Sequence, residues 1–148
     1  MRYLLLVAVL VFCASCADDD QSCEFGETEV KCLEDFGCTN TAYLLSIHSS
    51  NEFELIRNQE EYDAMIDGSC NAQIDWNNYD LIVGMVGLTQ GLEKIEKSLF
   101  NDCVLNQFRV TFTISLNQTT AAPQISYNAI IPKLGIDENV FVEVIINS

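Results

Sequence analysis

The chain contains little of what most enzymes and nucleic-acid-binding proteins use. Its 148 residues include one histidine, one tryptophan, two prolines and only seven lysines and arginines together. The 22 acidic residues give a formal net charge of −15 at pH 7, so a polyanionic partner would be repelled. We therefore exclude nucleic-acid binding. The scarcity of cations also argues against charge-driven binding to an anionic lipid surface.

Recognised catalytic motifs are also lacking. The sequence has no Gly-x-Ser-x-Gly elbow, phosphate-binding glycine loop, His-Glu-x-x-His pair or dinucleotide fingerprint. His48 lies in a predicted turn and has no recognisable catalytic partner. Acidic pairs such as Glu60 with Glu61 or Asp75 with Asp80 would need about 5 to 10 Å of separation across a sugar cleft to act as a glycosidase. We expect no enzymatic activity, catalytic residue or cofactor, with a carboxylate-based hydrolase as the alternative.

The first twenty residues have the pattern of a secretory leader. Arg2 supplies a positive charge, residues 3 to 12 form an unbroken apolar run, and Ala14 and Ser15 are small residues just before Cys16. The run has about half of the roughly 20 apolar residues that a membrane-spanning helix needs. We predict a signal peptide over residues 1 to 15 and no retained transmembrane helix.

Cys16 and its surroundings resemble the lipobox of bacterial lipoproteins. That resemblance implies acylation of Cys16, which becomes the new N-terminus, and a membrane contact made by the lipid. Cys13 stands where such boxes usually carry leucine, so cleavage elsewhere by an ordinary signal peptidase is the alternative. The aspartates at 18 to 20 form a solvated spacer or an export signal like that of Bacteroidetes-type surface lipoproteins. The expected location is the cell envelope, as an outer-membrane lipoprotein, exposed at the cell surface if the aspartates act as that signal.

Five cysteines remain after Cys13 and Cys16, and outside the cytoplasm we expect them to form disulfides. Zinc is the competing interpretation for Cys23, Cys32 and Cys38, but these lack a Cys-x-x-Cys pair and only His48 can complete the set. We therefore expect no metal site. Because five is an odd number, one thiol stays free or pairs between molecules.

One disulfide is predicted between Cys70 and Cys103. Cys70 follows a predicted helix and Cys103 precedes a predicted strand, so the two can meet where helix and sheet adjoin. The bridge would close a loop of about 34 residues and stabilise the fold by roughly 3 to 4 kcal/mol in the chain-entropy model.

Hydrophobic patterning divides the mature chain into an acidic, cysteine-containing tether over residues 16 to 40 and a β-rich globular domain over residues 41 to 148. Asn58 and Glu61 form a capping box, which predicts a short helix over residues 59 to 66. We predict a mainly β (α+β) fold, a compact antiparallel sheet or small sandwich with this one short helix.

Alternating apolar residues predict the strands. We expect a hairpin-like pair at 42–46 and 53–56, a buried strand at 81–86, and an antiparallel pair at 108–116 and 125–131. The last strand, 140–146, is apolar on both faces, which favours a central or covered position.

Residues 75 to 79 form a candidate binding surface composed of Asp75, Trp76 and Tyr79. Trp76 can act as a ligand platform, but we favour a ring that caps the edge of the core while Asp75 holds an Asx-type turn. The polar loop at 117–123 is a second candidate surface for a protein or glycan.

Three runs of sequence resemble a known group. The runs are Asn-Gln-Glu-Glu-Tyr-Asp at 58–63, Ile-Asp-Trp-Asn-Asn-Tyr-Asp-Leu-Ile-Val-Gly at 74–84 and Tyr-Asn-Ala-Ile-Ile-Pro-Lys-Leu at 127–134. They look like uncharacterised Bacteroidetes lipoproteins and, more distantly, resemble the PrcB-like C-terminal domain, named for a protease-complex subunit. The resemblance covers about residues 40 to 148 and carries over no catalytic residue, and Trp76 replaces the more usual phenylalanine.

The resemblance implies a compact β-rich domain and a protein partner. Taken with the leader, it predicts a lipid-anchored, non-catalytic binding or accessory module. Regulation of a secreted protease is the alternative that rests on the resemblance alone.

Overall fold

A computed structural model describes residues 26–68 and 70–148 of the chain. As predicted, the described part is mainly β, with few and short helices. The signal peptide, Cys16 and Cys23 lie outside the described residues. The helices are a 3-10 turn at Leu33–Phe36, α1 at Thr41–Leu44 and α2 at Gln59–Met65. The strands are β1 Gly26–Thr28, β2 Ser46–Ile47, β3 Phe53–Ile56, β4 Ile66–Asp67, β5 Tyr79–Gly87, β6 Leu92–Asp102, β7 Gln107–Leu116, β8 Gln124–Pro132 and β9 Asn139–Asn147.

Two sheets pack face to face around the main core. One has the strand order β1-β6-β7-β9 and the other the order β3-β5-β8. Between them, the Phe112 ring of β7 lies 4.6 Å, centroid to centroid, from the Tyr127 ring of β8. The predicted alternation of β7 is confirmed, because Phe108, Val110 and Phe112 are buried while Arg109 is exposed. The fold is therefore a small sandwich, as expected.

A further layer covers the outer face of β8. Leu33 is fully buried there, and its backbone N–H donates to Asn128 Oδ1 at 2.9 Å. The Ser126 hydroxyl donates to the Thr41 carbonyl at 2.5 Å. The segment from residue 26 to 40, predicted to be part of a tether, is thus folded onto the sheet. The folded domain begins no later than Gly26, instead of at residue 41.

Two strand pairings differ from the predictions. β8 pairs with β5 and packs across the sandwich from β7, so the predicted antiparallel pair of β7 and β8 is wrong. The predicted hairpin is also wrong, because residues 41–44 are helical, β2 pairs with β4 and β3 pairs with β5. β8 is buried on both faces, and β5 pairs with it over nine residues.

β9 lies at a sheet edge rather than in the central or covered position that its two apolar faces suggested. It runs parallel to β7, which is its sole strand partner among the residues that the structure describes. Its outer face leaves Phe141 and Ile145 exposed.

The predicted helix α2 is confirmed, together with its cap. The backbone N–H of Glu61 donates to Asn58 Oδ1 at 2.8 Å. The Glu61 carboxylate accepts from the backbone N–H of Arg57 at 2.7 Å, one residue before the expected donor. Tyr62 is buried and packs the helix onto the domain.

Cys70 forms a disulfide with Cys38, so the predicted bridge between Cys70 and Cys103 is wrong. Cys38 follows the 3-10 turn and belongs to the apolar cluster that includes Tyr62 of α2 and against which Cys70 packs. Cys103 lies in the turn after β6, in the other sheet, and is also disulfide-bonded. Cys32 has a free thiol. The packing of the layers brings Cys38 and Cys70 together, and the sequence pattern did not predict that packing.

Asp80 is fully buried and forms an ion pair with Lys133. Lys133 Nζ lies 2.6 Å from one carboxylate oxygen, and the backbone N–H of Leu134 donates to the other at 3.0 Å. Lys133 Nζ also donates to the Arg57 carbonyl at 3.0 Å. This cluster fixes the loop after β8 against the start of β5.

Gly84 is required where β5 passes beneath Tyr127. A Cβ atom at position 84 would collide with the Tyr127 ring and lie 2.7 Å from the Glu52 carbonyl oxygen. We therefore expect Gly84→Ala to lower the free energy of unfolding by about 2 kcal/mol, because overpacking typically costs 1 to 3 kcal/mol. Chemical denaturation monitored by circular dichroism measures this change.

Gly87→Ala is the matched control, because a Cβ atom at position 87 on the same strand has no neighbour within 4 Å. It should change the free energy of unfolding by less than about 0.5 kcal/mol. Equal destabilisation by the two variants would contradict the proposed collision.

Candidate binding surface

The predicted surface residues Asp75 and Trp76 make contacts within the domain. Asp75 Oδ1 accepts from the Asn77 backbone N–H at 3.1 Å, which confirms the Asx turn. The indole N–H of Trp76 donates to Gln59 Oε1 at 3.0 Å, and its ring packs against Tyr62 at 6.1 Å between centroids. The Trp76 side chain thus joins α2 to the loop before β5, as its favoured core-edge role requires.

Tyr79 is half-buried and holds Lys31. Lys31 Nζ donates to the Tyr79 hydroxyl at 3.0 Å and lies 4.8 Å from the ring centroid. The hydrogen bond to Tyr79 is the main cause that raises the pKa of Lys31 above its ordinary value. A ligand at this ring would have to displace the lysine.

The acidic and histidine candidates do not converge on a reaction centre. His48 Nε2 lies 2.5 Å from Asp67 Oδ2, and both side chains are mostly exposed beside the β2–β4 pair. Asp80 is paired and fully buried, whereas Asp75 is engaged in its own turn. Within 26–68 and 70–148, no three His, Cys, Asp or Glu side chains form a group that could hold a metal ion.

The loop at 117–123 is held mainly by Asn117. Its side-chain amide donates to the Leu92 carbonyl at 3.0 Å and its Oδ1 accepts from the Thr119 backbone N–H at 3.0 Å. The distal part of the loop is exposed.

A cavity of about 290 Å³ with several polar groups on its wall lies between the 32–42 segment and strands β6 and β8. Its polar groups bond to one another: buried Asn128 Nδ2 donates to buried Thr41 Oγ1 at 2.9 Å, and that hydroxyl donates to Glu34. Burial raises the pKa of Glu34, but hydrogen bonds led by the one from Thr41 outweigh it and give a net lowering. Since the network is internally satisfied, it explains how the 32–42 segment is held on β8.

Cys32 lines the same cavity with a protonated thiol. Burial is the main cause that raises its pKa, and its Sγ contacts Asp35 Oδ2 at 3.3 Å. A thiol in this state is a poor nucleophile, because the thiolate is the reactive form.

The strongest candidate surface is a groove along β9, which we call the β9 groove. It has a volume of about 320 Å³ and opens between β9 and the facing strands β3, β5 and β8. Val142 and Val144 form one wall and are only half-buried, although they face the sandwich interior. The groove is lined by Glu52, Phe53, Met85, Val86, Tyr127, Val142, Val144 and Ile146.

One polar pair borders the β9 groove. The Tyr127 hydroxyl donates to the Glu52 carbonyl at 2.7 Å, and burial is the main cause that raises the pKa of Tyr127. The groove therefore combines an apolar floor with acidic Glu52 on its rim, and exposed Glu143 lies on the outer face of β9 itself.

Sequence reasoning missed the β9 groove, because it placed the last strand in a central or covered position. Phe141 and Ile145 on the second face of the last strand indicated a covered strand, whereas they are exposed. An apolar strand left at a sheet edge is itself a typical mark of a docking surface.

Comparisons with protein-family models, with curated proteins and with solved structures found no match. In the part of the chain that the structure describes, no helix has the length and apolar character needed to cross a membrane.

Proposed function

We propose that the protein is a lipid-anchored, non-catalytic binding module of the cell envelope. Acylated Cys16 holds it to the outer membrane, and the β9 groove receives a partner protein. The observation that carries the binding role is the open apolar groove beside a strand edge. The Cys16 lipobox and the secretory leader support the anchor.

The partner that best fits the β9 groove is an extended, cationic protein segment. A free strand edge offers unpaired backbone groups that a peptide strand can bond, and pockets beside it take alternate side chains. Glu52, Glu143 and the net charge of −15 favour a lysine- or arginine-bearing segment. A glycan would favour an open aromatic platform, whereas the Trp76 indole is engaged with Gln59.

The anchor is tested by mass spectrometry of the N-terminal peptide from native membranes. We expect Cys16 as the first residue, carrying acyl chains. A mature N-terminus at any other residue, or an unacylated Cys16, would remove the anchor from the proposal.

The binding role is tested by replacing Ile146, which lines the β9 groove. Affinity capture from surface-labelled cells should recover at least tenfold less partner with Ile146→Asp than with the natural chain. The reason is that an apolar side chain buried at an interface contributes about 1.5 to 3 kcal/mol. The captured protein should carry a basic segment that competes for binding as a free peptide.

Ile145→Asp is the matched control, since Ile145 is equally apolar and lies on the opposite face of β9. It should leave capture within about twofold of the natural chain. Equal recovery of the partner with both variants would exclude the β9 groove as its binding site. Recovery of the same chain alone would indicate self-association. If the folded protein captured no partner at all, the binding role would be refuted.

A further inference from the structure

Three aliphatic side chains at one end of the sandwich are largely exposed to solvent. Ile136 is 102% exposed, Val104 86% and Leu105 62%, which makes them the most exposed large hydrophobic residues in the described chain. Val104 and Leu105 occupy the turn between β6 and β7, and Ile136 occupies the loop between β8 and β9. We call these two loops the apolar tip.

Hydrogen bonds join and stiffen the two loops of the apolar tip. Asn106 Nδ2 donates to the Asp137 carbonyl at 2.9 Å, and the Asn139 backbone N–H donates to the Asn106 carbonyl at 3.2 Å. The Asp102 carboxylate accepts from the backbone N–H groups of Val104 and Leu105, each at 3.0 Å. The aliphatic side chains therefore lie on loops that hydrogen bonds hold in place.

The chain enters the described domain at the same end. Gly26, the first residue of β1, pairs with Asn101 of β6, just before the β6–β7 turn. Cys16 precedes Gly26 by ten residues in the sequence. Ten residues span at most about 35 Å, even at full extension. A lipid on Cys16 would thus hold the apolar tip, rather than the opposite end, close to the bilayer.

Charges at the apolar tip favour a neutral membrane surface. The carboxylates of Asp102 and Glu138 are turned toward backbone N–H groups of their own loops, and Asp137 is exposed. The one lysine of the two loops, Lys133, is paired with buried Asp80 and so offers no free cation to an anionic lipid. Aliphatic side chains without cations insert at the boundary between headgroups and acyl chains through the hydrophobic effect alone, which suits zwitterionic lipid.

We propose that the apolar tip is a membrane-docking surface, in which Val104, Leu105 and Ile136 insert into the zwitterionic lipid of the membrane that holds the anchor. This inference rests on the proposed lipidation of Cys16. It gives the domain a second membrane contact besides the lipid and a fixed orientation.

Fluorescence quenching by lipid bromine atoms tests the docking. The acylated full chain carrying Leu105→Trp is reconstituted into vesicles of phosphatidylcholine, with or without bromine on the acyl chains. We expect the emission added by the new tryptophan to fall roughly twofold in brominated vesicles, because an inserted side chain lies within about 5 to 10 Å of the headgroup boundary. The natural chain supplies the background from Trp76.

Ala121→Trp is the matched control, since residue 121 is exposed in the loop at the opposite end of the sandwich. Its added emission should not change with bromination, and circular dichroism checks that both variants fold. If the acylated protein shows no greater quenching at 105 than at 121, the docking is refuted while the anchor stands. An unacylated N-terminus, read by mass spectrometry on the same preparation, refutes both proposals.

A photo-crosslinker at position 105 in cells separates the other occupants. Crosslinking to lipid supports the docking. Crosslinking to a second copy, or to another protein, overturns it and assigns the apolar tip to a protein interface.

Discussion

Replacing Cys38 and Cys70 together by alanine is expected to lower the free energy of unfolding by about 3 to 4 kcal/mol. The disulfide between them spans 32 residues of sequence. In the chain-entropy model, a crosslink of that span lowers the conformational entropy of the unfolded chain enough to stabilise the fold by this amount. Urea denaturation of the double variant, followed by circular dichroism, measures the change.

Cys32→Ala is the control for this experiment, because Cys32 is a half-buried free thiol. It should cost less than about 1 kcal/mol, since it breaks no crosslink. The double variant is preferred to a reducing agent because Cys103 is also disulfide-bonded and reduction would break both bridges. A double variant as stable as the Cys32→Ala protein would show that the Cys38–Cys70 bridge contributes little.

Lys133→Met is expected to lower the free energy of unfolding by about 3 kcal/mol, the low end of the range for breaking a buried ion pair. Asp80 is fully buried, and Lys133 supplies the 2.6 Å contact to its carboxylate. Arg57 Nε is 3.8 Å away, too far to replace the lost hydrogen bond. Methionine keeps the length of the lysine stem, so the change removes mainly the charge. Thermal and urea unfolding measure the loss.

Lys94→Met is the matched control, since Lys94 pairs with Glu96 at 3.0 Å on an exposed surface. It should cost less than about 1 kcal/mol. A further variant, Asp80→Asn combined with Lys133→Met, should be more stable than Lys133→Met alone, because it removes a buried charge that has lost its nearest partner. If the combined variant is less stable than the single one, the buried carboxylate charge is not the source of the loss.

Local patterns predicted the elements whose environment differs clearly between two faces. Strand β7 alternates apolar and polar residues because one face meets the core and the other meets solvent. Helix α2 begins at Asn58, whose side chain caps it, and this signal is readable from neighbouring residues. These interactions are local, so the sequence is sufficient to predict them.

The pairing of β8 was not predictable by the same reasoning. Ser126 and Asn128 look like a solvated face, yet both are buried and hydrogen-bonded to Thr41 or Leu33, more than eighty residues earlier. Polar groups can be buried when their bonds are satisfied, and those partners become neighbours only after folding. The Cys38–Cys70 pairing has the same long-range origin, because spacing alone leaves many connectivities open.

The candidate sites depended even more on tertiary structure. The β9 groove exists because β9 joins the sheet edge in parallel with β7 and leaves Val142 and Val144 partly uncovered. The apolar tip exists because two loops separated in sequence are joined by Asn106. Neither arrangement has a motif in the sequence.

The lone charge in strand β9 has a consequence for copies of this protein crowded side by side. If the β9 edges of two copies paired antiparallel about their midpoints, the two Glu143 carboxylates would face each other and repel. Each molecule also brings a net charge of −15 to the encounter. Glu143 therefore opposes dimerisation through this sheet edge while leaving the edge open to a basic strand.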